Sequence, residues 1–239
     1  MACDCPRGHK LQESVANWFM RLNGFFTLPN FILHADVGSP QRTEFDTIAV
    51  RFPYRAELHD SPTPLSDLGS LIGSPTLAQC VLVDATTATC KLSSAWEDLG
   101  NLTAWMQAIG ILRESEWTNA AQSLRDARKH VADGFEFRFI AIGQKTNKHL
   151  HGAVQQYSWA EVLHWIFGRM NAYEEQKRHN SQWPSIGRLL YRTAIKNAST
   201  PDVFVRRWLL RMGVAAPSGA TQSACSQSSH HAIITGAGV

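Results

Sequence analysis

Two short apolar runs, each beside an acid, most constrain what this chain can fold into. Residues 48–52 read Ile-Ala-Val-Arg-Phe and follow Gln41-Arg-Thr-Glu44-Phe-Asp46-Thr. Residues 81–83 read Val-Leu-Val and run into Asp84-Ala-Thr86, with Cys90-Lys91-Leu-Ser-Ser-Ala-Trp96 close behind. Runs of this length, rich in β-branched residues, read as buried strands. An acid at the end of a buried strand is costly unless it is paired, hydrogen-bonded or bound to a cation. Asp46 and Asp84, on neighbouring strands, therefore have a physical reason to converge on one divalent ion.

The remaining elements follow from periodicity. Leu11, Val15, Trp18, Phe19 and Leu22 predict a helix over 10–23, closed at Gly24, with Glu13 on its polar face. Residues 25–34 predict a strand region in which Pro29 marks an edge or a bulge. Residues 36–42 read as a turn, and 58–78, punctuated by Pro62, Pro64, Gly69, Gly73 and Pro75, as a loop. Helical stripes predict helices over 98–109 (Leu99, Leu102, Met106, Ile109) and 117–131 (Trp117, Ala121, Leu124, Ala127, Val131). Residues 135–143 alternate and then turn wholly apolar, a strand passing from half-exposed to buried, before a basic loop with Lys145 and Lys148. Ser158-Trp-Ala-Glu161 is a capping box opening a long helix, and shorter helices are expected over 185–198 and 202–213.

This order predicts an α/β chain with a mixed central β-sheet flanked by helices, its first two strands antiparallel. We expect an α/β core over 1–150 and a C-terminal helical extension of the same domain over 151–213. The segment 214–239, rich in Ala, Ser, Gly, Gln and Thr, is expected to lack regular structure from about 217, because it cannot bury enough apolar area to offset ordering entropy. No internal repeat is present.

Composition excludes some classes. Hydrophobic residues make up 44% of the 239 positions and charged residues 18%, which fits neither disorder nor a membrane protein. No run of 18 apolar residues exists, so no transmembrane helix is expected. The N-terminus lacks the apolar core of a signal peptide, which predicts a cytoplasmic, reducing setting. The five cysteines contain no C-x-x-C pair, so free thiols are expected rather than a zinc site. A net charge of +3 permits a polyanionic partner without demanding one.

The arrangement resembles the PD-(D/E)XK, restriction-endonuclease-like nuclease fold. In that family an acid on the second strand is followed, on the next strand, by an acid, any residue and a Lys. Asp46 in Glu-Phe-Asp-Thr-Ile-Ala-Val matches the first position, and Asp84-Ala-Thr86 stands where the acid-x-Lys element belongs. The resemblance implies a metal site of Asp46 and Asp84, with Glu13 of the first helix as the assisting acid, and Mg²⁺ (or Mn²⁺) as the cofactor. It implies DNA as substrate, a role in phage defence or repair, and no membrane. The carboxylates would hold the ion, and the family's Lys would orient water and add positive charge near the transition state.

The departure lies at that Lys. Thr86 carries no charge, and Lys91, five residues on, is the nearest substitute, with Lys145 and Lys148 as others. The catalytic set implied is Asp46, Asp84, Thr86 and Lys91, in a weakened enzyme. The alternative is an inactive nuclease-fold subunit that binds nucleic acid or scaffolds a larger protein complex. A third reading makes the acids structural: Asp46 as a strand-edge acid paired with Arg42 or Arg51, Asp84 as a strand-terminal turn residue. Trp96, Trp105 and Trp117 read as core, and the cluster Lys177-Arg178-His179 with Arg206-Arg207 as solvated helix ends.

Overall fold

Helix α1 (His9–Leu22) opens the described chain and is buried almost all round, with Val15, Phe19 and Met20 inaccessible and even Gln12 and Asn17 covered. A computed structural model describes residues 9–34, 42–55, 67–150, 152–198 and 200–215. Gly24, at φ +79°, turns the chain from α1 into β1 (Phe26–Leu33). Next come β2 (Thr43–Arg51) and β3 (Ala78–Ala85), each antiparallel to the strand before it. Helices α2 (Leu99–Ile109) and α3 (Glu114–Ala127) then carry the chain across the sheet. The hairpin β4 (Lys129–Ala132) and β5 (Phe135–Gly143) follows, with β5 parallel to β3.

The sheet is mixed and six-stranded, ordered β1-β2-β3-β5-β4, with β6 (Gln155–Ser158) also on β5. Strand β4 pairs with residues 135–138 of β5 and β6 with residues 140–143, so the two share one edge. β6 runs directly into α4 (Trp159–Ala172), whose Ser158–Glu161 capping box forms as the sequence predicts. Then come α5 (Glu174–Lys177), α6 (Ser185–Lys196) and α7 (Pro201–Met212).

The core has two parts, one on each face of the sheet. Residues of α1, α4, α6 and α7 close over Val81, Val83, Ile140 and Ile142. Residues of α2 and α3 close over Cys80, Leu82, Phe137 and Phe139. Alternating residues of β3 and β5 thus feed opposite clusters, as a strand buried on both faces requires.

Two strands differ from the sequence expectation. The expected helix over 117–131 stops at Ala127, where Arg128 takes φ +61°, and Val131 lies half-exposed in β4. The cause is Asp133-Gly134, at φ +49° and +79°: an Asp-Gly pair is the preferred two-residue hairpin turn, and it outweighs one apolar residue on a helical stripe. Strand β6 has only four residues, too short and polar to stand out in the sequence. Cys80 and Cys90 are free and buried. Cys3, Cys5, Cys225 and the expected tail from about 217 lie outside the described residues. Among the described residues, no helix is long and apolar enough to cross a membrane.

Candidate acidic site at the end of the central strands

Asp46 sits where β2 breaks its own alternation. Phe45 and Ile48 are three residues apart yet both lie in the α2–α3 cluster, while Ala49 faces the other cluster. Strict alternation would put Phe45 and Ile48 on opposite faces, so the strand turns over between them. The neighbouring strand is irregular at the same rung: Asn30, between the pairs Pro29–Thr47 and Phe31–Phe45, takes φ +52°. The ladder from β2 to β3 ends at the pair Thr47–Val83. Beyond it, the Ala85 N–H donates to Asp46 Oδ2 at 2.9 Å, so the carboxylate replaces the missing strand partner. That bond fixes the Asp46 carboxylate beside the residue next to Asp84.

Burial pushes the Asp46 carboxyl up to about 7, and nearby Asp84, Glu13 and Glu44 push the same way, against the Ala85 N–H. Glu13 is half-buried on α1 and within electrostatic reach of Asp46, rather than on a solvated face. Asp46 thus feels acids from α1, β2 and β3, while the Asp84 carboxylate itself turns to Trp96, whose ring lies in the α2–α3 cluster, and Glu13 stands on α1, which packs on the other face of the sheet. Arg42 and Arg51 do not pair with Asp46. Arg42 donates to Asn101 Oδ1 at 2.7 Å, and Arg51 pairs with Asp67 at 3.0 Å.

Asp84 closes β3 on a buried hook. Its Oδ2 accepts from the Ser93 N–H at 2.6 Å and from the Trp96 indole N–H at 3.0 Å. Trp96 is 2% exposed, stacked on Phe45 at 4.6 Å and edge-on to Phe139 at 5.3 Å. A buried indole needs an acceptor, and Asp84 supplies it. Trp96 is core, as its sequence suggests, but it also orients the acid. Burial raises the Asp84 carboxyl, while Trp96, the Ser93 N–H and Lys91 act to lower it. Lys91 is exposed, and its charge reaches Asp84.

Thr86 is held as structure. Its N–H donates to Ile142 O at 2.9 Å, its carbonyl accepts the Trp159 indole N–H at 2.7 Å, and its hydroxyl accepts from Ala88 N at 3.3 Å. The following turn is laced to the β5–β6 loop by Gln144 N to Ala88 O (2.7 Å) and Cys90 N to Lys145 O (2.8 Å). A Cβ on Gly143 would meet Ala88 O at 2.6 Å, so only glycine allows this approach. Lys145 is exposed and lines a separate cavity with Glu161, and Lys148 is exposed in the same loop. Lys177 lies with its ammonium 5.6 Å over the Tyr173 ring, and Arg207 donates to Asn197 O.

Asp46, Asp84 and Glu13 can offer oxygen ligands to a hard cation. Among the described residues, however, no three His, Cys, Asp or Glu side chains gather into a metal-holding group. The sequence alone misses Trp96 and Ser93 as partners of Asp84. The signal was present: an acid ending a buried strand, followed within a dozen residues by a tryptophan expected in the core. No protein-family description, curated protein or solved structure matches the chain.

Proposed function

We propose that the chain is a nuclease-fold protein, similar to the PD-(D/E)XK group, that acts on DNA phosphodiester bonds with weakened catalysis, in phage defence or repair. The observation that carries this reading is the 2.9 Å bond from Ala85 N–H to Asp46 Oδ2, which brings the β2 acid to the end of the β3 acid's own strand. Mg²⁺ needs only one or two protein carboxylates when waters and substrate phosphate complete its shell, so Asp46 and Asp84 suffice in number. Glu13 adds negative charge to the same place. Asp46 and Asp84 would hold Mg²⁺ or Mn²⁺, which would supply charge to the phosphate and acidify water.

The chain's own residues divide the remaining work. Asp46, whose carboxyl burial pushes up to about 7, would have to give up its proton to hold an ion. The Trp96 and Ser93 donors hold Asp84 Oδ2 and so orient its carboxylate. Thr86 brings no charge, and Lys91 is the cation on the same loop that can face the developing phosphate charge. A relocated, exposed Lys is a poor substitute: loss of one fixed donor or charge at the transition state costs roughly 10²–10³ in rate.

A second reading, an inactive subunit that binds nucleic acid or scaffolds a complex, draws on the engagement of Asp84 Oδ2 by two donors and of the Thr86 hydroxyl by Ala88. One experiment separates them. Purified protein is assayed for melting temperature and for plasmid nicking with and without Mg²⁺ or Mn²⁺. On the nuclease reading the metal raises the melting temperature, Asp46→Ala removes that gain, and weak nicking falls further in Lys91→Ala and rises in Thr86→Lys. Stabilisation by metal without nicking in any variant favours the second reading. No response to metal in the unaltered protein ends the first.

A further inference from the structure

Helix α1 carries a polar stripe that its burial does not explain. Glu13, Asn17 and Arg21 stand at i, i+4 and i+8 on a helix whose other faces are packed. Successive positions of such a stripe lie one above another, and its ends are about 12 Å apart at 1.5 Å per residue. The stripe forms one wall of a groove of about 370 Å³ between α1, β1 and the start of α6. Thr27, Asn30 and Ser185 line the other walls. Asn17 is 8% exposed, and its Oδ1 accepts from the Thr27 hydroxyl at 3.3 Å. Asn30 is the residue at φ +52° on the Asp46 rung, a conformation that costs free energy and is kept where the surroundings demand it.

The groove is polarised. Its acidic end, Glu13, belongs to the electrostatic neighbourhood of Asp46. Its basic end is Arg21, an exposed guanidinium centred 4.5 Å over the Trp18 ring. That stacking fixes the direction of the side chain while leaving its N–H donors to the groove. Trp18 itself is covered by Trp183 at 4.8 Å, so it is a support for Arg21 rather than a platform for a base.

We propose that this groove seats one strand of a nucleic acid leaving the acidic site, with Arg21 contacting a backbone phosphate and Asn17, Thr27 and Asn30 offering hydrogen bonds to sugar and base edges. The inference rests on the nuclease reading above and names its substrate path. Acids that would hold a cation at one end, and at the other a guanidinium whose residue lies about 12 Å along the helix from Glu13, match a polyanion with phosphates at both ends of the groove. A neutral small molecule would have no use for that charge separation.

The test is fluorescence anisotropy of an end-labelled 12-nucleotide single strand and the matching duplex, in Ca²⁺ to suppress cleavage, over a range of salt. Arg21→Gln should weaken binding about tenfold and lower the slope of log affinity against log salt by about one. Thr27→Val should weaken it about threefold. The matched control is Arg211→Gln, because Arg211 is also exposed and stacked on a tryptophan, 5.5 Å over Trp208, but on α7. It should bind as the unaltered protein does, and all three variants should keep its melting temperature within a few degrees. Equal weakening by Arg21→Gln and Arg211→Gln overturns the groove while leaving the nuclease reading in place. No salt-dependent binding by the unaltered protein overturns the nucleic-acid reading itself.

Discussion

The two ends of the central strands bury charge in opposite ways. Near their start, Glu136 accepts the Ser74 N–H at 2.9 Å and pairs with Lys129 at 3.2 Å and Arg138 at 3.6 Å. Arg138 in turn donates to Gln79 Oε1 at 2.8 Å, and to Gln155 and the Leu71 carbonyl. Burial alone would raise the Glu136 carboxyl, but the Ser74 N–H, Lys129 and Arg138 outweigh it and hold it below its usual range. On the same side, Asp67 is bound by Arg51, Arg55 and Arg169. At the far end, Asp46 receives one backbone N–H and the repulsion of three acids. A charge buried for architecture is paired, because an unpaired one destabilises the fold. On the reading proposed above, the partner of the Asp46 carboxylate would come from outside the chain.

The largest effect is expected at the paired end. Glu136→Gln leaves Arg138 and Lys129 facing an amide and should cost about 3–5 kcal/mol, the usual result of removing one member of a buried pair. Urea unfolding at pH 7 measures it. A loss under about 1 kcal/mol, as for an exposed pair, would show that the network only decorates the loop over residues 67–74.

Asp46→Asn should do the reverse. The amide oxygen can still accept the Ala85 N–H, and the like-charge repulsion is gone. An acid whose folded pKa is raised from 3.8 to about 7 binds more protons folded than unfolded between those values, so it costs stability as pH rises through that window. The full cost is present above about 7 and amounts to about 4 kcal/mol before solvent screening and relaxation reduce it. The variant should therefore outlast the unaltered protein at pH 8, and the gap should close toward pH 4. Mg²⁺ should narrow the same gap at pH 8 by stabilising only the unaltered protein. An equal difference at both pH values would mean that Asp46 is not strained by its neighbours.

Much of this frame was legible in the residues. The β-branched runs beside Asp46 and Asp84 announced adjacent strands, Pro29 announced an edge or a bulge, of which β1 is the edge, and Ser158–Glu161 announced a helix start. Each of those signals is local, set within a few residues by pleat or cap. Two local signals were also missed, the Asp133-Gly134 hairpin and the Trp96 donor to Asp84, but most of what escaped were relations between distant residues. Nothing near Asp46 says that its carboxylate ends a ladder at Ala85, 39 residues on. The same holds for Glu136, whose alternating neighbours Phe135 and Phe137 make it read as a solvated strand residue. In the folded chain it faces a buried pocket of donors, because Gly73 lets the loop over residues 67–74 come close enough that a Cβ there would meet Glu136 Oε1 at 2.5 Å.

Trp96→Phe separates packing from hydrogen bonding at the acidic end. It keeps the aromatic packing on Phe45 and Phe139 and deletes only the donor to Asp84 Oδ2. A hydrogen bond to a charged group contributes about 1.5–3 kcal/mol. Part of that should reappear as relief, because Asp84 keeps the Ser93 N–H and becomes easier to protonate. The net loss should be about 1–2 kcal/mol at pH 8 and smaller near pH 5. A loss that does not change with pH would assign the effect to packing alone.

The smallest expected effect is also the one that bears most directly on Lys91. Its side chain is exposed, so Lys91→Gln should change stability by less than about 1 kcal/mol. Its charge nevertheless lowers the Asp84 carboxyl, which means it competes with any cation the acids would hold. Removing it should make the site more negative. The Mg²⁺ concentration that gives half the thermal stabilisation should then fall about two- to fivefold, on the scale of 1.4 kcal/mol per tenfold. Phosphate binding should move the other way, since the same substitution takes a positive charge from the substrate's side. A variant that holds Mg²⁺ more tightly but nicks DNA more slowly would place Lys91 between cation and substrate, which is the position that Thr86 leaves empty of charge. Weaker Mg²⁺ binding in Lys91→Gln would mean that Lys91 only shapes the loop from Thr86 to Trp96.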